Sequence, residues 1–119
     1  MLAIHDIHKN FGGLVAVDDP SFAVVEGSVT SLIGPNGAGK TTLFNIVSGL
    51  SRPDAGTVQF KGSDITGWSA QRIARAGIGR TFQNVRLFQN LNAIENVIAA
   101  RFCRTRSSPP RQPIVRVEP

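Results

Sequence analysis

The stretch that decides the fold is Gly34-Pro35-Asn36-Gly37-Ala38-Gly39-Lys40-Thr41, which fits the pattern G-x-x-x-x-G-K-[ST] at every fixed position. Such a loop needs glycines because the chain must adopt positive φ angles and let its backbone approach an anion closely. The resulting concave row of backbone N–H groups, followed by a helix N-terminus, is suited to nucleotide phosphates. Lys40 supplies an ammonium for the outer phosphates, and the Thr41 hydroxyl can ligate an accompanying Mg²⁺.

The residues on both sides of this loop carry the patterns of a strand and a helix. Ser28–Ile33 is a short β-branched and apolar run, which predicts a buried strand. After the loop, apolar residues recur at helical spacing, so Lys40 and Thr41 should lie on the first turn of an amphipathic helix that Gly49 ends. These apolar residues are Leu43, Ile46, Val47 and Leu50. A glycine-rich turn without a ligand is one alternative. A dinucleotide site is another, and it is disfavoured because Thr42 stands where that pattern needs glycine.

Length and composition bound the class of protein. The chain has 119 residues, of which 41% are hydrophobic, enough for one modest domain. No apolar run approaches the ~20 residues that a membrane-spanning helix needs. The residues Met1–Asp6 lack the basic start and apolar stretch of an export signal, which predicts a cytoplasmic protein. Cys103 is the single cysteine, so no intrachain disulfide or cysteine metal cluster is expected.

The net charge of +5 is concentrated at the C-terminal end. Residues 1–100 carry eight basic and seven acidic side chains, whereas residues 101–119 carry five arginines against Glu118. A basic tail without interleaved aromatic residues or a recognisable reader motif is weak evidence for nucleic-acid binding. Nucleic acid is therefore an unlikely partner, although a basic-tailed nucleic-acid-binding protein stays open as an alternative.

The remaining patterns predict further strands and helices. Predicted strands cover Leu2–Ile7, Leu14–Val17, Ser21–Val25 and Thr57–Lys61, and Ile78–Gln83 is expected to be extended. Predicted helices cover Ser69–Ala76, closed by Gly77, and a segment opened by the capping box Asn92-Ala93-Ile94-Glu95, with Ile94, Val97 and Ile98 on one stripe. Together these elements predict an α/β nucleotide-binding fold with an N-terminal antiparallel β portion.

Three motifs occur in an order and spacing that resemble a known family. They are Phe11-Gly12-Gly13-Leu14-Val15-Ala16-Val17, the loop Gly34–Thr42 and Arg80-Thr81-Phe82-Gln83-Asn84-Val85-Arg86-Leu87-Phe88. Together they resemble the ATP-binding subunit of ABC transporters, and most closely the branch that powers importers of branched-chain amino acids. The resemblance implies a truncated P-loop NTPase fold. Residues 1–103 would be the N-terminal part of the ABC-type nucleotide-binding domain, and residues 104–119 an irregular Arg/Pro-rich tail.

The resemblance also implies roles for individual residues. Phe11 matches the aromatic residue that stacks on adenine, a contact that needs only a flat π face; otherwise it would be an ordinary phenylalanine in a turn. The ATP-phosphate site matches Gly34, Asn36, Gly37, Ala38, Gly39, Lys40, Thr41 and Thr42. Thr41 and Gln83 match the residues that approach Mg²⁺. Gln83 also matches the residue that relays the nucleotide state to the membrane partner. ATP and Mg²⁺ are thus the implied cofactors.

The same resemblance implies partners and a location. ABC permease subunits in the membrane and a second ATP-binding subunit would be the partners, which predicts a peripheral position on the inner face of the cell membrane. The segment Val85–Leu91 matches the surface near the coupling helix of the transporter. Leu87 and Phe88 would therefore be partner contacts or, equally, ordinary core residues.

ATP hydrolysis requires groups that this sequence does not contain. In the family, a Leu-Ser-Gly-Gly-Gln-like signature, an apolar strand ending in Asp-Glu and a histidine lie downstream, and none occurs in the 119 residues. Leu14–Asp18 precedes the loop and is interpreted as a strand-end turn, while His5 and His8 are interpreted as structural or solvated. The alternative function is therefore a remnant that binds ATP without hydrolysing it, from a gene whose frame is broken near Ser107.

Overall fold

A computed structural model describes residues 1–82 and 87–101. Strands β1 (Leu2–Phe11), β2 (Leu14–Val17), β3 (Phe22–Val24), β4 (Ala55–Phe60) and β5 (Ser63–Asp64) form one five-stranded sheet. The helices are α1 (Lys40–Val47), α2 (Ala70–Ala76) and α3 (Ala93–Arg101). The chain divides into two compact units, Met1–Arg80 and Thr81–Pro119, and all elements except α3 belong to the first.

The sheet is antiparallel throughout and is organised around β1. Its order is β2-β1-β4-β5, and β3 also pairs with β1. The two glycines after Phe11 adopt positive φ angles and turn the chain so that β2 returns along β1. These pairings confirm the predicted α/β fold with an N-terminal antiparallel portion.

The core of the first unit lies between the sheet and the helices. It consists of buried aliphatic side chains from β1, β2, α1, β4, α2 and the turn after β5. These are Ile4, Ile7, Val17, Leu43, Ile46, Val58, Ile65 and Ile73. Alternation along β4 turns Val58 inward and Gln59 outward, as the sequence pattern predicted. Burial of this apolar area is the main favourable term in folding.

Local signals set the bounds of α2. The Ser69 hydroxyl accepts a hydrogen bond from the Arg72 backbone N–H, and Gly77 ends the helix in the left-handed conformation. Both features are what a helix needs at its two ends, since the terminal N–H and C=O groups have no partners inside the helix. The predicted helix Ser69–Ala76 is confirmed, with Ser69 as its N-cap.

The prediction of a buried strand at Ser28–Ile33 is wrong. These residues form no strand, and all of them are exposed; Val29 is 97% and Ile33 91% exposed. A strand that is buried on both faces requires neighbouring strands and covering helices. In the described part of the chain, the segment lies in no ladder with another strand. The apolar pattern is therefore present without the partners that would turn it into a sheet strand.

Candidate nucleotide-binding site

The phosphate-loop motif leads directly into α1. Gly39 is the N-cap residue of this helix with φ 76° and ψ 2°, and its carbonyl accepts a hydrogen bond of 2.9 Å from the Leu43 N–H. No side chain in the described part of the chain caps the helix start by a hydrogen bond, and the first turn carries no acidic residue. A helix start of this kind retains unpaired N–H groups and positive dipole potential, which suit an anion.

Gly39 is fixed in place by an irregularity in β2. Lys9 pairs with Val17 and the next residue, Asn10, pairs with Val15, so Ala16 is an extra residue in β2. The Ala16 carbonyl lies so close to Gly39 that a Cβ atom at position 39 would overlap its oxygen. Gly39 thus satisfies two requirements at once, a positive φ angle and a close backbone approach.

Lys40 lies on the first turn of α1, and its side chain folds back over the loop. The Lys40 ammonium donates hydrogen bonds of 2.6 Å to the Gly34 carbonyl and 2.5 Å to the Pro35 carbonyl. The Pro35 carbonyl also accepts a bond of 3.3 Å from the Ala38 N–H, which closes the loop on itself. The ammonium is therefore held at the loop, where it would meet an anion bound to the loop backbone.

The other residues of the predicted phosphate site lie within the same loop and the first helical turn. Asn36, Gly37 and Ala38 are exposed between Gly34 and the N-cap. Thr41 is exposed and Thr42 partly exposed, both on α1. The structure therefore brings together all of the predicted phosphate-site residues.

Leu50, which was expected on the buried stripe of α1, is not buried. Leu43 and Ile46 are buried as predicted, but α1 ends at Val47 and Leu50 is 54% exposed. Gly49 adopts a positive φ angle immediately beyond the helix, so the helical spacing no longer applies to Leu50. The apolar stripe of this helix is one residue shorter than predicted.

Phe11 is presented at the end of β1, next to the turn that leads into β2. Phe11 is 52% exposed, and its backbone pairs with that of Leu14. Ala16, whose carbonyl lies against Gly39, is two residues beyond Leu14 along β2, a distance of about 7 Å. One short strand thus joins the position of Phe11 to the phosphate-loop motif.

Beside Phe11 lies an ion pair that the sequence analysis did not identify. The Lys9 ammonium lies over the Phe11 ring, 5.2 Å from its centroid, and donates a hydrogen bond of 2.8 Å to Asp54 Oδ1. Asp54 Oδ2 accepts a second bond, of 2.7 Å, from the Asn10 N–H. The hydrogen bond from Lys9, followed by that from Asn10, lowers the pKa of the Asp54 carboxyl below its usual range.

This pair predicts an acid-sensitive contribution to stability. Because the pKa of Asp54 is lowered by folding, its contribution is present above the unfolded pKa, near 3.8, and is lost as the pH falls through the folded value. We expect Asp54→Asn to destabilise the protein at pH 7, and we expect this loss to shrink as the pH falls through the lowered pKa of Asp54. Urea unfolding over a series of pH values from 7 downwards measures this. A loss that stays constant over the series would assign the effect to packing instead of charge.

A second cluster of titratable groups lies where β1 runs beside the end of β2. His8 Nδ1 is 3.3 Å from Asp19 Oδ1 and 3.8 Å from Asp18 Oδ1. Both carboxylates are well exposed, whereas His8 is only partly exposed. From the sequence, Asp18 is expected in a strand-end turn and His8 is expected to be structural or solvated. These groups lie close together because β1 pairs with β2. They form an exposed ion pair when His8 is protonated.

Arg80, the first residue of the third motif, is anchored to α1. Arg80 Nη1 donates hydrogen bonds of 2.7 Å to Asn45 Oδ1 and 2.9 Å to Ser48 Oγ. Gln83 lies outside the described residues, as does the tail from 102 onwards, so the metal role of Gln83 and the character of the tail stay predictions.

The described part of the second unit contains α3 and the turn before it. The Asn92 side chain accepts a bond from the Glu95 N–H, and the Glu95 carboxylate accepts one from the Asn92 N–H, which confirms the capping box. The predicted stripe on α3 is well exposed, at 72% for Ile94 and 68% for Val97. Leu87 and Phe88 are exposed as well, which contradicts the alternative that they are ordinary core residues and leaves partner contact as a prediction.

Comparison with known proteins identifies the family. The family model described as "ABC transporter" matches residues 17–116, and the chain therefore belongs to the ABC transporter family. It is 46% identical over 101 residues to the high-affinity branched-chain amino acid transport ATP-binding proteins LivG of Salmonella typhimurium and BraF of Pseudomonas aeruginosa. Each match covers 85% of this chain and 40% of the relative, so the chain spans about two fifths of the length of these relatives.

A solved structure shares the same fold. The ADP conformation of an ATP-binding cassette of an ABC transporter superposes with a TM-score of 0.77 at 38% identity. The match covers 91% of this chain and 42% of that cassette. The described residues contain no helix long and apolar enough to cross a membrane.

Proposed function

We propose that this chain binds ATP as its Mg²⁺ complex through the phosphate-loop motif. The observation that carries the proposal is the arrangement at the start of α1, where Gly39 meets the Ala16 carbonyl and the Lys40 ammonium lies over the loop. Gly34, Asn36, Gly37, Ala38, Gly39, Lys40, Thr41 and Thr42 would contact the phosphates, and Phe11 would stack on the adenine. A similar cassette was solved in its ADP conformation, which supports nucleotide binding by this chain.

The residues present fit a magnesium ion. The exposed Thr41 hydroxyl, on the first turn of α1, is the kind of oxygen ligand that Mg²⁺ takes beside nucleotide phosphates. Gln83, which lies outside the described residues, is the second ligand that the family resemblance implies. When bound, the ion would neutralise phosphate charge and hold the β- and γ-phosphates in one orientation.

For the whole protein, we propose an ATP-binding subunit that couples ATP binding and hydrolysis to amino-acid import. The names of LivG and BraF support branched-chain amino acids as the substrate. Permease subunits in the membrane and a second ATP-binding subunit would be its partners, and it would lie at the cytoplasmic face of the cell membrane. A cassette of the same fold forms a dimer, which supports the second partner.

The replacement of Lys40 by alanine tests nucleotide binding. Charge-assisted hydrogen bonds contribute about 1.5–3 kcal/mol, so we expect Lys40→Ala to weaken ATP binding by about 10- to 150-fold. Calorimetric titration of the folded chain with ATP and Mg²⁺ measures this, and Lys61→Ala is the matched control because Lys61 lies in the turn between β4 and β5. An unchanged affinity in Lys40→Ala would contradict the proposal.

ATP hydrolysis is tested separately, by measuring phosphate release. Phosphate release by the purified chain, abolished in Lys40→Ala, would support an ATPase in which this part of the protein is sufficient. ATP binding without phosphate release would support the alternative, a chain that holds ATP without hydrolysing it.

A further inference from the structure

We infer that Lys9 and Asp54 form a positioning pair for Phe11 and thereby set the affinity of the site for the base of the nucleotide. The inference rests on the proposed function, because it concerns the same nucleotide. It adds two residues outside the phosphate-loop motif and assigns them to the recognition of the base.

The geometry of β1 brings Lys9 and Phe11 to the same side of the sheet. Side chains two residues apart on a strand project from the same face, and the extra residue between the Lys9 and Asn10 pairs lies in β2, so β1 alternates regularly from Lys9 to Phe11. The Lys9 ammonium lies 5.2 Å from the centroid of the Phe11 ring, within the range of a cation–π contact. One face of the ring is thus occupied by the ammonium, and a planar base would stack on the opposite face.

Asp54 holds the ammonium in this position. The Lys9 side chain is only 15% exposed, and its hydrogen bond of 2.8 Å to Asp54 fixes the end of an otherwise flexible chain. Asp54 is itself tied to β1, because it accepts from the Asn10 N–H and its own N–H donates to the His8 carbonyl at 2.8 Å. The turn before β4 is thereby connected through two side chains to the exposed ring.

A held ring binds a base better than a mobile one. Phe11 is about half exposed, so without the ammonium its ring would lose rotamer freedom on stacking, and that loss weakens binding. The Lys9 ammonium contacts the ring and the Asp54 carboxylate, and Lys9 lies outside the phosphate-loop motif, so its replacement should leave binding of the phosphates unchanged. The expected signature is therefore a loss of affinity for ATP without a loss for a ligand that has phosphates only.

A comparison of two ligands tests the pair. We expect Lys9→Met, which retains the aliphatic stem, to weaken binding of ATP with Mg²⁺ by about three- to tenfold, the range for the cost of ordering one side chain on binding. Binding of tripolyphosphate with Mg²⁺ should stay within about twofold of the wild type, since it has no base to stack. Lys9→Arg should bind ATP about as well as the wild type, because a guanidinium can contact the ring and pair with the carboxylate.

The chain supplies a matched control. Lys61 lies over the Phe60 ring at 5.4 Å from its centroid, a contact of the same type outside the proposed site. Lys61→Met should leave binding of both ligands unchanged. Asp54→Asn should act like Lys9→Met and provides a second variant if the first does not fold, which circular dichroism reports.

The possible results separate the two proposals. If the wild type binds ATP but Lys9→Met or Asp54→Asn binds it equally well, or loses both ligands to the same degree, the positioning role is overturned and nucleotide binding stands. If the wild type binds neither ligand, the proposed function fails and the positioning role fails with it.

Discussion

Replacement of Gly39 by alanine is expected to abolish detectable ATP binding and to lower the free energy of unfolding by more than about 2 kcal/mol. A side chain at φ 76° costs about 1–2 kcal/mol by itself. In addition, the new Cβ would overlap the Ala16 carbonyl oxygen, so β2 or the start of α1 must move. Urea unfolding and calorimetric titration with ATP and Mg²⁺ measure the two effects.

Gly37 provides the matched control for this prediction. Its φ angle is 85°, and a Cβ there would meet nothing within 4 Å. Gly37→Ala therefore isolates the conformational cost, and its destabilisation should stay near about 1–2 kcal/mol. If Gly39→Ala were no more destabilising than Gly37→Ala, the close approach to β2 would not be important for stability.

The second large effect is expected in the core. Ile7 is completely buried and belongs to the cluster between the sheet and the helices. Truncation of such a side chain removes its burial and leaves a cavity, so Ile7→Ala should lower the free energy of unfolding by about 2–5 kcal/mol. Since small domains have total stabilities of about 5–15 kcal/mol, this is a large share. Urea denaturation followed by circular dichroism measures it.

Val29 is the control for the core prediction. Its side chain is 97% exposed, so Val29→Ala should change stability by less than about 0.5 kcal/mol. This comparison also tests the position of the segment 28–33. A cost for Val29→Ala that approached the cost for Ile7→Ala would mean that Val29 is buried in solution.

The elements that were predicted correctly are those whose sequence signals lie within a few residues of one another. The Ser69 cap and Gly77 bound α2, the reciprocal bonds of Asn92 and Glu95 open α3, and alternation identifies β4. The start of α1 follows from the phosphate-loop motif for the same reason. Each of these signals is complete in the segment that forms the element.

The predicted strand that failed and the ion pair that was missed both depend on distant neighbours. Ser28–Ile33 has the composition of a buried strand, but a strand requires partners, which a local pattern does not contain. Lys9 and Asp54 are separated by 45 positions and meet because β1 pairs with β4. The spacing of Lys9 and Phe11 was the available signal for their contact, since strand neighbours two residues apart share a face.

The bulge at Ala16 has a consequence for how the gene can vary. The residues between Gly13 and Val17 set a fixed distance between Phe11 at one end and the start of α1 at the other. Changes of side chain on their exposed surface should be tolerated, whereas an insertion or deletion of one residue would reverse every following side chain and shift the spacing by ~3.4 Å. Natural variants of this segment should accordingly differ in composition but not in residue number.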